Sequence, residues 1–201
     1  MRAPEQNQAM RETTRQAIVD AAIRVFARHG FAASNIRQIA DEAGLSVGSI
    51  YRHYASKEAL FDDLLTQAST GLETASETLS GEGDPLTLAR GFTRDFLTDL
   101  AGGRSAAEFY LVINQGFLSD NPAGTAARLA ADQRSLWEAF AVLVRRGQAV
   151  GQFADGDPMH LTAYYFAMLS GIASMRLVIQ DALTDSGVDV VLRLLTTGRN
   201  P

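Results

Sequence analysis

Apolar positions recur along this chain at three- and four-residue spacing, and no segment alternates with period two, so the pattern predicts helices throughout. In the first, TTRQAIVDAAIRVFARHG, Ile18, Ala22, Val25 and Phe26 make one apolar stripe. Gly30 is placed to stop it, since a residue without Cβ tolerates the left-handed backbone of a helix C-terminus. Ser34 is expected to cap a short second helix whose inner face is Ile36, Ile39, Ala40 and Ala43, ending at Gly44. Ser46 is expected to cap a third, reaching Tyr54, and Ser56 a fourth, with Leu60, Phe61, Leu64 and Leu65 inward and an end near Leu79. The segment Ser80 to Pro85 (SGEGDP) reads as a linker. A fifth helix carries Leu88, Phe92, Phe96 and Leu100, and a sixth spans Ser105 to Leu118. Asp120-Asn121-Pro122 reads as the start of a seventh, running to Ala149 and holding the single tryptophan, Trp137. An eighth covers Met159 to Leu183 and a last one Val188 to Thr197.

The third helix changes the picture. Within AGLSVGSIYRHY, Ala43 to Tyr54, it carries Ser46, Ser49, Tyr51, Arg52, His53 and Tyr54, an unusual surface for an element whose role is packing alone. Two short helices joined by a tight glycine turn form a helix-turn-helix, held by Ile39, Ala40, Leu45, Ile50 and Tyr54. The second helix of such a unit presents its N-terminal residues to a DNA major groove.

Charge supports this weakly. Residues 1–60 hold eight basic and six acidic side chains, whereas the remainder holds ten and seventeen, for a net charge of −5. A mildly basic head on an acidic body is compatible with a local nucleic-acid footprint, but fits an ordinary solvated surface better. The 201 residues contain no cysteine, which removes disulfides and thiolate metal sites. The polar N-terminus lacks a signal peptide's apolar stretch, and no run is long enough for a membrane span, so a cytoplasmic location is expected. Three scattered histidines, with no phosphate-binding glycine loop and no H-E-x-x-H or G-x-S-x-G, argue against an enzyme. No cofactor or metal is implied.

The run SNIRQIADEAGLSVGSIYRHYASKEALF resembles the TetR family of bacterial transcriptional regulators. Ile39-Ala40, Ala43-Gly44, Ser46, Gly48-Ser49, Tyr51, His53, Ser56-Lys57-Glu58 and Leu60 carry the resemblance. Ser34, Gln38, Leu45 and Tyr54 depart mildly from it. With the preceding helix it covers about residues 13–61. A weaker likeness, in Arg146-Gly147-Gln148, Gly151-Gln152-Phe153 and Asp157-Pro158, joins the seventh and eighth helices.

The resemblance implies an all-α fold. Residues 1–55 (ordered from about 13) would form a helix-turn-helix DNA-binding domain, and 56–201 a helical ligand-binding and dimerisation domain. The expected DNA contacts are Ser34, Arg37, Ser46, Val47, Gly48, Ser49, Tyr51, His53 and Lys57, the only lysine in the chain. Arg37 has the planar fork that reads guanine, and Val47 can meet a thymine methyl. The resemblance further implies a ligand cavity, for which Phe92, Phe96, Phe109, Phe117, Trp137, Phe140, Tyr164 and Met168 are candidates. It implies a four-helix homodimer interface, with candidates Ile172, Met175, Ile179, Val191, Leu194 and Leu195. The expected function is a homodimeric repressor, released from a palindromic double-stranded DNA operator by a small, largely apolar effector. The alternative is a small-molecule binding or protein-interaction module that no longer reads DNA.

Overall fold

A computed structural model describes residues 3–120, 122–178 and 187–196. Helices α1 (Ala3–Ala33), α2 (Ile36–Ala43) and α3 (Val47–Tyr51) build the head, and α4 (Lys57–Ser80) leads away from it. The body follows as α5 (Pro85–Ala101), α6 (Arg104–Ser119), α7 (Thr125–Ala149), α8 (Pro158–Arg176) and α9 (Gly187–Leu192). Among the described residues the only β-type pairing is an isolated bridge between Phe153 and Thr196. No helix of the described residues is long and apolar enough to cross a membrane.

The boundaries follow local chemistry. Gly30 has φ 73° and ψ 162°, which breaks the helical path of α1 where the glycine was expected to end it. The start of α2 differs from expectation. Ser34 is buried, and its hydroxyl donates to the Gly30 carbonyl at 2.6 Å. Asn35 is the N-cap instead. Its side chain accepts from the Gln38 amide at 3.0 Å, while the Gln38 side chain accepts from the Asn35 amide at 2.9 Å, a reciprocal capping box. Ser46 and Ser56 do cap α3 and α4, each accepting a backbone amide at 3.1 Å. The α3 helix ends at Tyr51, earlier than the pattern suggested. Pro122 does not open α7 but lies in the preceding turn, and Gly124, at φ 89°, is the N-cap. The expected continuation of the eighth helix through Ile179 lies outside the described residues.

Two main cores result. The first joins Ile18, Val25 and Phe26 of α1, Ile39 and Ala40 of α2, Ile50 of α3 and Leu60, Phe61 and Leu64 of α4. It does not stop at the head: Val112 and Ile113 of α6 and Leu129 of α7 belong to it. Ala40 is completely buried where α2 meets its neighbours. The second core lies between α5, α7, α8 and α9 and is built largely of rings. Phe140 stacks on Tyr165 with centroids 4.4 Å apart, and Trp137 stacks on Phe166 at 5.8 Å. Phe92 meets Phe166 edge-on at 5.9 Å. Such arrangements add about 0.5–1.5 kcal/mol per pair beyond the area they bury.

Polar links tie α4 to both sides. Asp63 accepts from Arg15 of α1 at 2.8 Å and from the Tyr54 hydroxyl at 2.5 Å. Its neighbour Asp62 accepts from Arg128 of α7 at 2.8 Å, and Ser69 donates to Asp132 of α7 at 2.5 Å. Burial, then the hydrogen bond to Asp63, pushes the Tyr54 phenol up to about 12.

Candidate nucleic-acid interface

The head presents a concave surface of about 610 Å³ between the start of α2, one face of α3 and the start of α4. Arg37, Val47, Tyr51 and Lys57 line it together, as do Asn35 and Glu58. With Ser34, which also lines it, five of the residues expected from sequence to touch DNA share one groove, drawn from α2, α3, α4 and the turn before α2. Arg37 is exposed, and Tyr51 is 54% exposed. A tyrosine so placed offers a partner both a ring and a phenol.

Lys57 is held in place. Its ammonium donates to the carbonyls of Phe31 at 2.7 Å and Ser34 at 2.8 Å, and sits 4.2 Å from the centroid of the Phe31 ring. It thus closes the turn between α1 and α2 while lending its charge to the groove. Gly48 is exposed at the tip of α3, with nothing closer than the Ser46 hydroxyl at 4.0 Å to a Cβ added there. Ser46 is exposed but its oxygen is engaged as the cap.

Ser34 borders the groove but is buried, and its hydroxyl donates to the Gly30 carbonyl. Two expected contacts sit elsewhere. Ser49 is buried, and its hydroxyl accepts from Arg52 at 3.1 Å. His53 lies away from this groove, in a concavity it shares with α1. Asn35 was missed. Its signal was the Asn-x-x-Gln spacing of a capping box, which competed with Ser34 for the same role.

Arginines of the head divide into two sets. Arg24 donates to Glu42 at 2.7 Å, Arg28 donates to the same carboxylate, and Arg15 is taken by Asp63 and Glu12. Glu42 is held below the usual carboxylate range, first by Arg24 and then by Arg28. Arg11, Arg37 and Arg52 have no carboxylate partner among the described residues.

In the body, the expected cavity residues separate. Phe92, Phe140 and Trp137 belong to the ring cluster, with Met168 packed against it. Phe96 meets Tyr110 edge-on at 5.8 Å. Phe109 packs on the head's core. Phe117 and Trp137 line an open apolar recess of about 400 Å³ with Gln133 and Met159. The Trp137 Nε1 is buried without a hydrogen-bond partner among the described residues. Tyr164 is 69% exposed on the outer face of α8, so it is not an interior cavity residue of this chain.

The structure also revises the expected interface residues. Val191 and Leu195 are buried in the second core, because the C-terminal segment turns them inward against the body. Tyr164, Met175, Val178 and Val190 are instead among the large apolar side chains left exposed on α8, the turn after it and α9. Ile172 and Leu194 are half-buried beside the second core.

This architecture defines a helix-turn-helix protein with a helical body. The family model "Bacterial regulatory proteins, tetR family" matches residues 18–64. The HTH-type transcriptional regulator AcrR of Shigella flexneri is 33% identical over 81 residues, 39% of this chain and 38% of that protein. The HTH-type transcriptional repressor KstR2 of Mycobacterium tuberculosis (strain ATCC 25618 / H37Rv) is 46% identical over 48 residues, 24% of each chain. In both, the match spans well under half of the relative's length. The likeness of fold extends further. The structure of the ketosteroid transcriptional regulator KstR2 of Mycobacterium tuberculosis superposes with a TM-score of 0.76 at 19% identity, covering 91% of this chain and 95% of that one. The regulator FadR from Bacillus subtilis, in complex with stearoyl-CoA, superposes with a TM-score of 0.66 at 20% identity, covering 92% and 99%. Residues 18–64 thus carry the DNA-binding domain described for the tetR family, and the likeness over the rest of the chain is one of fold.

Proposed function

We propose that this protein is a cytoplasmic DNA-binding transcriptional regulator, a homodimeric repressor released from a palindromic operator by a small, largely apolar effector. Residues 1–55 would be its reading head, and 56–201 its effector-binding and assembly body. The observation that carries the reading is the groove in which Arg37, Val47, Tyr51 and Lys57 converge. It combines a fork for a base edge, a methyl-sized apolar contact, a phenol for a phosphate and a fixed positive charge. A dimer would set two such grooves about 34–36 Å apart, one helical turn of DNA. Exposed Tyr164, Met175, Val178 and Val190 supply an apolar face for the second subunit.

The ring cluster and the recess at Phe117 and Trp137 support an apolar effector. Its polar group would satisfy the Trp137 Nε1, since a buried donor without an acceptor is costly. Release follows if the effector favours a body conformation that moves α4, which is tied to α7 through Asp62 and to the head through Asp63. A coupling of about 1–3 kcal/mol changes operator affinity roughly 5–150-fold. No catalytic role is proposed for the groove, whose one amine, Lys57, is committed to two carbonyls.

Selection of bound duplexes from a random pool, at fixed salt, tests the reading. An enriched inverted repeat with half-sites about one turn apart is expected. A folded dimer that enriches no sequence would sink it.

A further inference from the structure

We propose that the recess between α6, α7 and the start of α8 binds an uncharged ring compound through a carbonyl, whose oxygen accepts from Trp137 Nε1 and the Gln133 amide, and that this is the chemical class of the effector. The inference rests on the effector reading above and names the chemistry that the recess selects.

The recess is largely apolar. Phe117 comes to it from α6, Met159 from α8, and Ala130 and Trp137 from α7. At about 400 Å³ it lies within the range of small-molecule sites. Trp137 carries a feature that packing leaves unexplained: its Nε1 is buried and has no hydrogen-bond partner among the described residues. Polar groups under cover elsewhere in the body find each other. The Thr93 hydroxyl lies 2.7 Å from that of Tyr165, and the Tyr110 hydroxyl 2.7 Å from that of Ser170. A buried N–H without an acceptor is costly, and an incoming acceptor would remove that cost.

The indole cannot readily turn this donor elsewhere. Trp137 stacks on Phe166 with ring centroids 5.8 Å apart and planes 13° apart, which fixes its plane. The Nε1–H lies in that plane, so an acceptor must meet the ring edge-on. Side chains on a helix lean towards its N-terminus, which carries the indole over the preceding turn of α7, where Gln133 and Arg134 stand. Gln133 borders the recess and makes no side-chain hydrogen bond among the described residues, so moving it breaks none and its N–H groups are available. A carbonyl oxygen has two lone pairs and accepts from both donors.

Charge at the rim narrows the class further. Arg134 and Glu138 are exposed, four residues apart on α7, and both border the recess. Neither has an ion-pair partner among the described residues. A carboxylate would gain Arg134 and meet Glu138, and an ammonium the reverse, so the rim favours a molecule without net charge. A rigid ring body suits the apolar lining and loses little freedom on binding.

The test uses the full-length chain labelled with nitrogen-15. The chain has one tryptophan, so the indole N–H signal in a proton–nitrogen spectrum reports on this donor alone. Titration with 2-decalone, an uncharged ring ketone with no donor of its own, is expected to move that signal downfield until it saturates. Decahydro-2-naphthoate and 2-aminodecalin, similar in shape but charged, are expected to bind about tenfold more weakly or worse. By calorimetry, Trp137→Phe is expected to bind 2-decalone about tenfold more weakly, the effect of one lost hydrogen bond to a buried donor. Gln133→Leu is expected to weaken it several-fold and, having lost no bond within the protein, to melt with the wild type. An indole signal unmoved by millimolar 2-decalone, or a charged analogue that binds as tightly as the ketone, overturns the site. The effector reading fails separately: 2-decalone that moves the indole signal yet leaves affinity for the selected duplex unchanged overturns the effector assignment and leaves the carbonyl site standing.

Discussion

Tyr54 donates its hydroxyl to Asp63 at 2.5 Å, and this one bond fastens the segment after α3 to α4. Tyr54→Phe keeps the ring and removes the bond. It is expected to destabilise the head by about 1 kcal/mol. The phenol titrates near 10 when unfolded and is raised to about 12 when folded. Its contribution is therefore fully present below pH 10 and lost as pH rises towards 12. Alkaline denaturation followed by circular dichroism should be shallower for Tyr54→Phe than for wild type over that window.

Glu42 gives the opposite sign. Arg24 and Arg28 lower its ionisation below the unfolded value, so its stabilisation is present above that value and disappears as pH falls through the folded one. Glu42→Gln should be less stable at neutral pH and lose less on acidification. Equal acid midpoints for the two proteins would remove Glu42 from the acid limb.

Lys57 should reveal a structural role before any DNA is added. Lys57→Met removes two charge-assisted bonds to carbonyls and is expected to cost about 1–3 kcal/mol of stability. Thermal melting of the free protein reads this directly. An unchanged melt would mean that the ammonium serves the groove alone.

Gly147 and Gly71 form a contrasting pair. A Cβ at Gly147 would overlap the buried Phe153 ring, so Gly147→Ala is expected to destabilise by about 1–3 kcal/mol. A Cβ at Gly71, inside α4, would meet nothing within 4 Å, and Gly71→Ala is expected to stabilise by about 0.5–1 kcal/mol. Urea denaturation of both variants checks the two signs together.

Val190 and Val191 separate folding from assembly. Val191→Asp places a charge in the second core and should unfold the body, whereas Val190→Asp should leave the subunit folded. If the exposed face is the dimer interface, Val190→Asp also shifts the protein to monomer in sedimentation. A folded Val190→Asp dimer would move the interface elsewhere.

Most of the helices and the head's core were readable from the sequence, because Ile18, Val25, Ile39, Ile50 and Leu64 lie on apolar stripes of helical period. The groove was readable as a set of residues but not as a surface. Ser34 and Ser49 have the right chemistry for a phosphate, yet their hydroxyls find nearer partners within the chain. Near the C-terminus the pattern was ambiguous: Val190, Val191, Leu194 and Leu195 are apolar on too wide an arc for period alone to say which side is inward. Packing decided it, with Val191 and Leu195 inside. Nor does the sequence tell that Asp62 and Asp63, adjacent on α4, reach in different directions, since their partners on α7 and α1 are far away along the chain.

The core beneath the helix-turn-helix includes Val112 and Ile113 of α6 and Leu129 of α7. Its consequence concerns modular exchange. A hybrid made by grafting residues 1–55 onto a relative's body would carry away the groove and leave part of its foundation behind. The graft would meet foreign side chains where α1 rests on α6, and a mismatch of one methylene group there is felt in a close-packed interior. If the groove reads an operator as proposed, a new preference is therefore better sought by changing its exposed residues than by transplanting the head.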